Sequence, residues 1–324
     1  VPMTLPSLAA GLLALAGGPS GEVPPAFPVP TQAEAWQMLP RKNPVLPAWA
    51  AALARPMPRG AGKLVELDDM HRTANPLGPV LRGKLRWAAA DANGCDYAKE
   101  YAEADLKRAG LIPAQIDKLS TPEKLPADER AALAFARKVS KAAYTVTDEE
   151  VAELVRHYGY RSVVAIVHTV AYANFQDRLL IGLGTEVEEG GPLPPVGVTF
   201  DTAETKPRKE TATGSAKPAA KAAAPNDKFA WPDAGLDLKA KLEAQKARAP
   251  RIPPVEAAAL AGLPKASREQ AEKVVWSNLS MGYQPALTGA WFASMSACQQ
   301  DAAFDRVLSN SVFWVVTRSN QCFY

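Results

Sequence analysis

Three cysteines, three histidines and a scatter of arginines hold most of the chemistry open to this chain. Cys95 sits inside a long helical pattern, LRGKLRWAAADANGCDYAKEYAEADLKRAGL, from Leu81 to Leu111. A cysteine that starts a helical turn can be held as a thiolate, the reactive form of the side chain. A dithiol centre needs a second cysteine one turn later, and position 98 is alanine. His168 and Asn174 lie in a strongly apolar segment. Polar groups there are costly unless paired, so both are read as satisfied core groups. A lone histidine is no metal site, and the sequence shows neither a clustered ligand set nor a glycine-rich phosphate loop. Cys298 lacks motif spacing and is read as structural.

The elements that position Cys95 follow from helix punctuation. Pro79 can open the helix, Asn93-Gly94 kinks or splits it, and Gly110 can cap its end. The same stretch is echoed later at a constant offset of 227 residues. Leu81 matches Leu308, Trp87 matches Trp314, Asn93 matches Asn320, Cys95 matches Cys322 and Tyr97 matches Tyr324. Rare tryptophan and cysteine in register predict a duplicated module. The chain ends at Tyr324, so the second copy is expected to be incomplete and the chain a truncated piece.

The 324 residues are enough for two domains. A net charge of +3 with dispersed basic residues argues against a nucleic-acid surface. Three cysteines without close spacing make a poor disulfide framework and favour a reducing compartment. The apolar run from Leu5 to Ala16 is too short to span a bilayer, so no integral membrane segment is expected. It resembles the apolar core of a signal peptide but lacks a preceding positive region. Both a cytoplasmic location and export therefore stay open, with the cytoplasm preferred.

Helices are expected over Glu34–Leu39, Trp49–Leu53, Ala61–His71, Pro126–Lys141 and, from a Thr147/Glu150 capping box, to about His157. Tyr160 to Gly182 reads as the most buried helix, with Val163, Ile166, Val167 and Val170 in its apolar surface. Residues 185–228, rich in Pro, Ala and Lys, read as a flexible linker. Beyond it, helices are expected over Leu236–Arg248, from Ser267 as N-cap to Asn278, over Gly289–Gln299, and over Ala303–Tyr324. The expected organisation is an extension at 1–44, a module at 45–184, the linker, and a second module at 229–324. No alternating strand pattern appears, so the fold class is all-α.

At Asn93-Gly94-Cys95-Asp96-Tyr97, with Leu106, Ala109 and Gly110 after it, the chain resembles the alkylhydroperoxidase D-like, or carboxymuconolactone decarboxylase-like, superfamily. Ala131-Leu133-Ala134-Phe135 and Tyr172-x-Asn174-x-x-x-Arg178 fit the same resemblance. It covers about Trp49 to Gly184, with a partial second copy from near Leu279. The resemblance implies an all-helical fold that assembles as a homo-oligomer. In redox-active relatives, Cys-x-x-Cys, a histidine four residues after the second cysteine, and an upstream glutamate carry the reaction. Carried over, these positions are Cys95, Ala98, Ala102 and Gly83, so only the first is filled. In the second copy the cysteine is Cys322 and the glutamate position is Asn310.

The resemblance therefore implies thiol-dependent peroxide reduction, with a partner thiol reductant, a small peroxide as substrate and no cofactor. Cys322 is the preferred redox cysteine, Cys95 the second candidate, and the first module is expected to be non-catalytic. A different reading is a degenerate helical scaffold or binding module. A third is a decarboxylase-like enzyme that binds a small carboxylate through Arg86 and Arg178.

Overall fold

The computed structural model describes residues 29–39, 45–198, 200, 240, 243–244, 249–302 and 305–320. All regular structure among them is helical. The order is α1 (Gln32–Met38), α2 (Ala48–Ala54), α3 (Pro58–Asp69), a π-helical turn (Met70–Ala74), α4 (Pro79–Asn93), α5 (Asp96–Arg108) and α6 (Pro113–Asp117). There follow α7 (Ala127–Ala142), α8 (Asp148–Leu183), α9 (Lys265–Lys273), α10 (Val275–Tyr283), α11 (Pro285–Asp301) and α12 (Arg306–Ser319).

The centre is α4, which packs on α5, α7 and α8. Leu85, Trp87 and the run Ala88–Ala90 are all buried, and the small side chains let three neighbours close on one helix. The expected pattern from Leu81 to Leu111 is two helices. Gly94 takes φ 69°, a left-handed conformation that favours glycine, and its N–H returns to the carbonyls of Ala90 and Asp91. The turn makes Cys95 the N-cap residue of α5.

The start of α8 carries the expected capping box: Thr147 Oγ1 accepts from Glu150 N–H, and the Glu150 carboxylate accepts from Thr147 N–H. Gly159, at φ 72°, bends the helix. Val163, Val164, Ala165, Ile166 and Val170 beyond the bend are buried, whereas Val167, expected with them, is 43% exposed. The expected Ser267–Asn278 helix is broken in two. Ser267 lies inside α9, whose N-cap is Pro264. Extended backbone at Val274 ends α9 and starts α10.

The domain boundaries differ from those expected. Residues 185–198 and Phe200 are not a free linker. Leu193, Val196, Val198 and Phe200 pack on the first core cluster, because this arm still carries enough apolar area to offset its ordering. Glu188 in the arm accepts hydrogen bonds from Tyr97 Oη at 2.7 Å, Tyr101 Oη at 2.6 Å and Ala48 N at 2.7 Å. Residues 201–228 of the expected linker lie outside the described residues. At the other end, α1 belongs to the core: Ala35 and Trp36 are buried, and Trp36 stacks on Phe200 at 6.1 Å.

The C-terminal helices join the same body. α11 lies along α3, held so close that a Cβ on Gly60 would be 3.0 Å from Cys298 Sγ. Gly60 N–H donates to Asp301 Oδ2 at 2.8 Å, and Ser294 Oγ donates to Lys63 O at 2.9 Å. Cys298 is therefore a packing residue. The surroundings of the two offset-matched tryptophans differ. Trp87 is 3% exposed and Trp314, on α12, is 48% exposed.

Candidate functional site

Cys95 is the first sequence-predicted thiol, and its surroundings decide its chemistry. It is 3% exposed, among Ala90, Tyr97, Ala98 and Tyr101. Burial pushes its thiol up to about 11; the Ala98 backbone N–H pulls the other way, and the Asp177 and Asp96 carboxylates add to the rise. Desolvation therefore outweighs the helix start, and the thiol stays protonated near neutrality. The relay positions around it are filled. Ala98 and Ala102 are buried, and a Cβ on Gly83 would lie 2.7 Å from Leu106 Cδ2. A glutamate at position 83 has no room. Cys322, the preferred redox candidate, lies outside the described residues.

Behind α4 and α8 is a buried polar cluster. The π-helical turn presents His71 and Arg72 to the interior together, both buried though adjacent in sequence. Asp68, on the last turn of α3, gathers the cluster. Its Oδ1 accepts from Tyr172 Oη at 3.0 Å, Gln176 Nε2 at 3.0 Å and Arg86 Nη2 at 3.3 Å. Its Oδ2 faces Arg72 Nη1 at 3.4 Å. Burial raises the Asp68 carboxyl, but Arg86, Arg72 and the hydrogen bonds from Gln176 and Tyr172 hold it below its ordinary value. Arg86 Nη2 also donates to Gln176 Oε1 at 2.5 Å. Arg86 Nη1 and Asp177 Oδ1 are buried without a hydrogen-bond partner.

Arg86 and Arg178, expected to share a carboxylate pocket, line different cavities. Arg86 lines one of about 210 Å³ with Arg72, Arg82 and Arg108. Arg178 lines another, of about 370 Å³, and donates to Asn174 Oδ1 at 2.8 Å and Asn174 O at 2.9 Å on its own helix. The two positions lie on different helices whose packing separates the guanidinium groups. Asn174 is satisfied as expected, donating to Ser140 Oγ at 3.0 Å and Val170 O at 2.8 Å.

A further cavity was not legible in the sequence. It measures about 390 Å³ and lies between α8 and the helices α10 and α11. Val164, Ala171, Trp276, Leu279 and Trp291 give it an apolar lining. Its polar groups are His71, His168, Tyr172, Ser280 and Thr288. His71 and Tyr172 stack face to face, with ring centroids 4.3 Å apart and planes 1° from parallel. His168 Nε2 is 3.2 Å from Ser280 Oγ and 3.4 Å from Thr288 Oγ1. Burial lowers His168 to about 4. Burial, with Arg86 and His168 nearby, holds His71 well below its ordinary value. Both imidazoles are therefore neutral at physiological pH. They can donate or accept a hydrogen bond but bring no charge to the wall.

Among the described residues there is no His/Cys/Asp/Glu cluster suited to a metal ion. No helix among them is long and apolar enough to cross a membrane. No protein-family model matches the chain, and no curated protein matches it. Solved structures do align. A candidate antioxidant-defence protein AhpD of unknown function, from Agrobacterium tumefaciens, is 21% identical with a TM-score of 0.38, over 44% of this chain and 96% of that one. The apo debrominase Bmp8 is 20% identical with a TM-score of 0.39, over 49% of this chain and 87% of that one. A cysteine-to-alanine variant of Bmp8 in complex with 2,3,4-tribromopyrrole aligns equally well, at 20% identity and a TM-score of 0.39.

Proposed function

We propose that this chain is a helical binding module that holds a small, largely apolar molecule in the cavity between α8 and the C-terminal helices. The carrying observation is the lining itself: two tryptophans and aliphatic side chains around two uncharged imidazoles. Concave, mostly apolar sites with a few convergent polar groups are what small-molecule sites look like. No cysteine lines this cavity, so binding does not draw on Cys95.

Trp276 and Trp291 supply the assay. Titration with a naphthalene-type fluorophore should give saturable quenching of their emission. Ala171→Trp, which fills the cavity from α8, should abolish it. Absence of saturable binding to the folded parent protein would overturn the reading.

Thiol-dependent peroxide reduction rests on Cys322, since Cys95 is buried, protonated and without a relay. Peroxide consumption with dithiothreitol as reductant tests it, using Cys322→Ser and Cys95→Ser beside the parent. Loss only with Cys322→Ser would support that enzyme reading. The carboxylate reading is weaker. In the arginine-lined cavity, Arg72 and Arg108 already hold Asp105, and Arg82 donates to the carbonyl of Thr73.

A further inference from the structure

We infer that His71 is a fixed hydrogen-bond donor to the bound molecule, which is a flat, uncharged, apolar compound with one acceptor oxygen, such as an aryl ketone. This rests on the binding role proposed above. The argument begins at Asn75. Its Oδ1 accepts from Leu77 N–H at 2.9 Å, which fixes the orientation of the amide. The Nδ2 end therefore faces Thr169 Oγ1 at 2.8 Å and His71 Nδ1 at 3.5 Å. Thr169 Oγ1 spends its own proton on Ala165 O at 2.8 Å, so it accepts from Asn75.

An amide nitrogen only donates, so His71 Nδ1 must offer its lone pair. A neutral ring then carries its proton on Nε2. His71 is 2% exposed, and among the described residues its ring makes its hydrogen-bond contact at Nδ1, with Asn75. A donor on the wall of the cavity gains from an acceptor on the ligand.

His71 borders both the apolar cavity and the arginine-lined one. Its stacked partner Tyr172 and its neighbour His168 line the apolar cavity and not the other. That places the ligand on the apolar side. The parallel His71 and Tyr172 rings and the two tryptophans favour a planar body. An apolar wall with neutral imidazoles disfavours a charged head group, which would be desolvated without a counter-ion.

Three probes of similar shape separate the possibilities: 2-acetylnaphthalene, 2-ethylnaphthalene and 2-naphthoate. The parent protein should bind the ketone about 10-fold more tightly than the ethyl compound, the effect of one satisfied buried donor. His71→Phe should erase that preference, so that the ketone and the ethyl compound bind equally. Equal binding of ketone and ethyl compound by the parent would overturn the donor role and leave the binding module standing. Tightest binding of 2-naphthoate would overturn the uncharged ligand in favour of an anion beside the arginines. No binding of any probe would overturn the binding module itself. Nitrogen-15 NMR of the parent gives an independent check that needs no variant. His71 should show a protonated Nε2 and a bare Nδ1, and the opposite tautomer would refute the donor assignment.

Discussion

Gly83 on α4 and Leu106 on α5 are in such close contact that a single added methyl at position 83 would fall 2.7 Å from Leu106 Cδ2 and 2.9 Å from its Cγ. Position 83 is where the family resemblance expects a proton-relaying glutamate. The α4–α5 interface is instead closed by a glycine and a leucine, and Leu106 belongs to the second core cluster. Gly83→Glu would force the helices apart and bury a carboxylate. We expect it to destabilise the protein by roughly 3 kcal/mol or more. Urea denaturation of parent and variant measures this, and an unchanged midpoint would contradict the packing described.

The Cys95 thiol should resist alkylation. With burial holding it up to about 11, iodoacetamide at pH 8 should label Cys95 far more slowly in the native protein than in urea. Cys298, pushed up to about 11 by its own burial and by Asp301, should behave alike. Peptide mass spectrometry after timed quenching distinguishes the sites. Rapid native labelling of Cys95 would show an accessible thiolate.

Asp177 should make the fold more stable in mild acid. Burial raises its carboxyl from 3.8 to about 6, against the hydrogen bond from Asn93 and the pull of Arg86 and Arg178. The folded state thus binds this proton more tightly than the unfolded chain. Stability from this group rises as pH falls from above 6 towards 4 and is flat outside that window. The penalty at pH 8 is on the order of 3 kcal/mol at most. Asp177→Asn should flatten the profile and raise the melting temperature at pH 8. Thermal melts from pH 4 to pH 8 read both effects.

Glu188 should be the latch of the 185–198 arm. Two stacked tyrosines, with ring centroids 4.7 Å apart, and a backbone N–H all donate to it. Glu188→Ala leaves those donors buried without an acceptor and should cost about 2 to 4 kcal/mol. Proteolysis should then cut within the arm. If the arm stays protected and stability is unchanged, Glu188 is not its anchor.

Local chemistry determined much of this protein from sequence alone. The Thr147–Glu150 capping box, Pro79 at the start of α4, Gly94 between α4 and α5, and the buried Val163–Ile166 run are each set by a few adjacent residues. So is the missing relay, because Ala98, Ala102 and Gly83 cannot carry protons or electrons in any fold. The tertiary structure decided what neighbouring chain does to those residues. A helix start favours a thiolate at Cys95, yet burial among Tyr97, Tyr101 and Ala90 reverses the balance. Arg86 and Arg178 share a charge but not a cavity. The linker composition from 185 onward hides an arm fastened by Tyr97 and Tyr101 from another helix. The apolar cavity joins His168 to Ser280, 112 residues apart. Periodicity reports which face of a helix is apolar, whereas the identity of the segment that covers it depends on contacts no local pattern encodes.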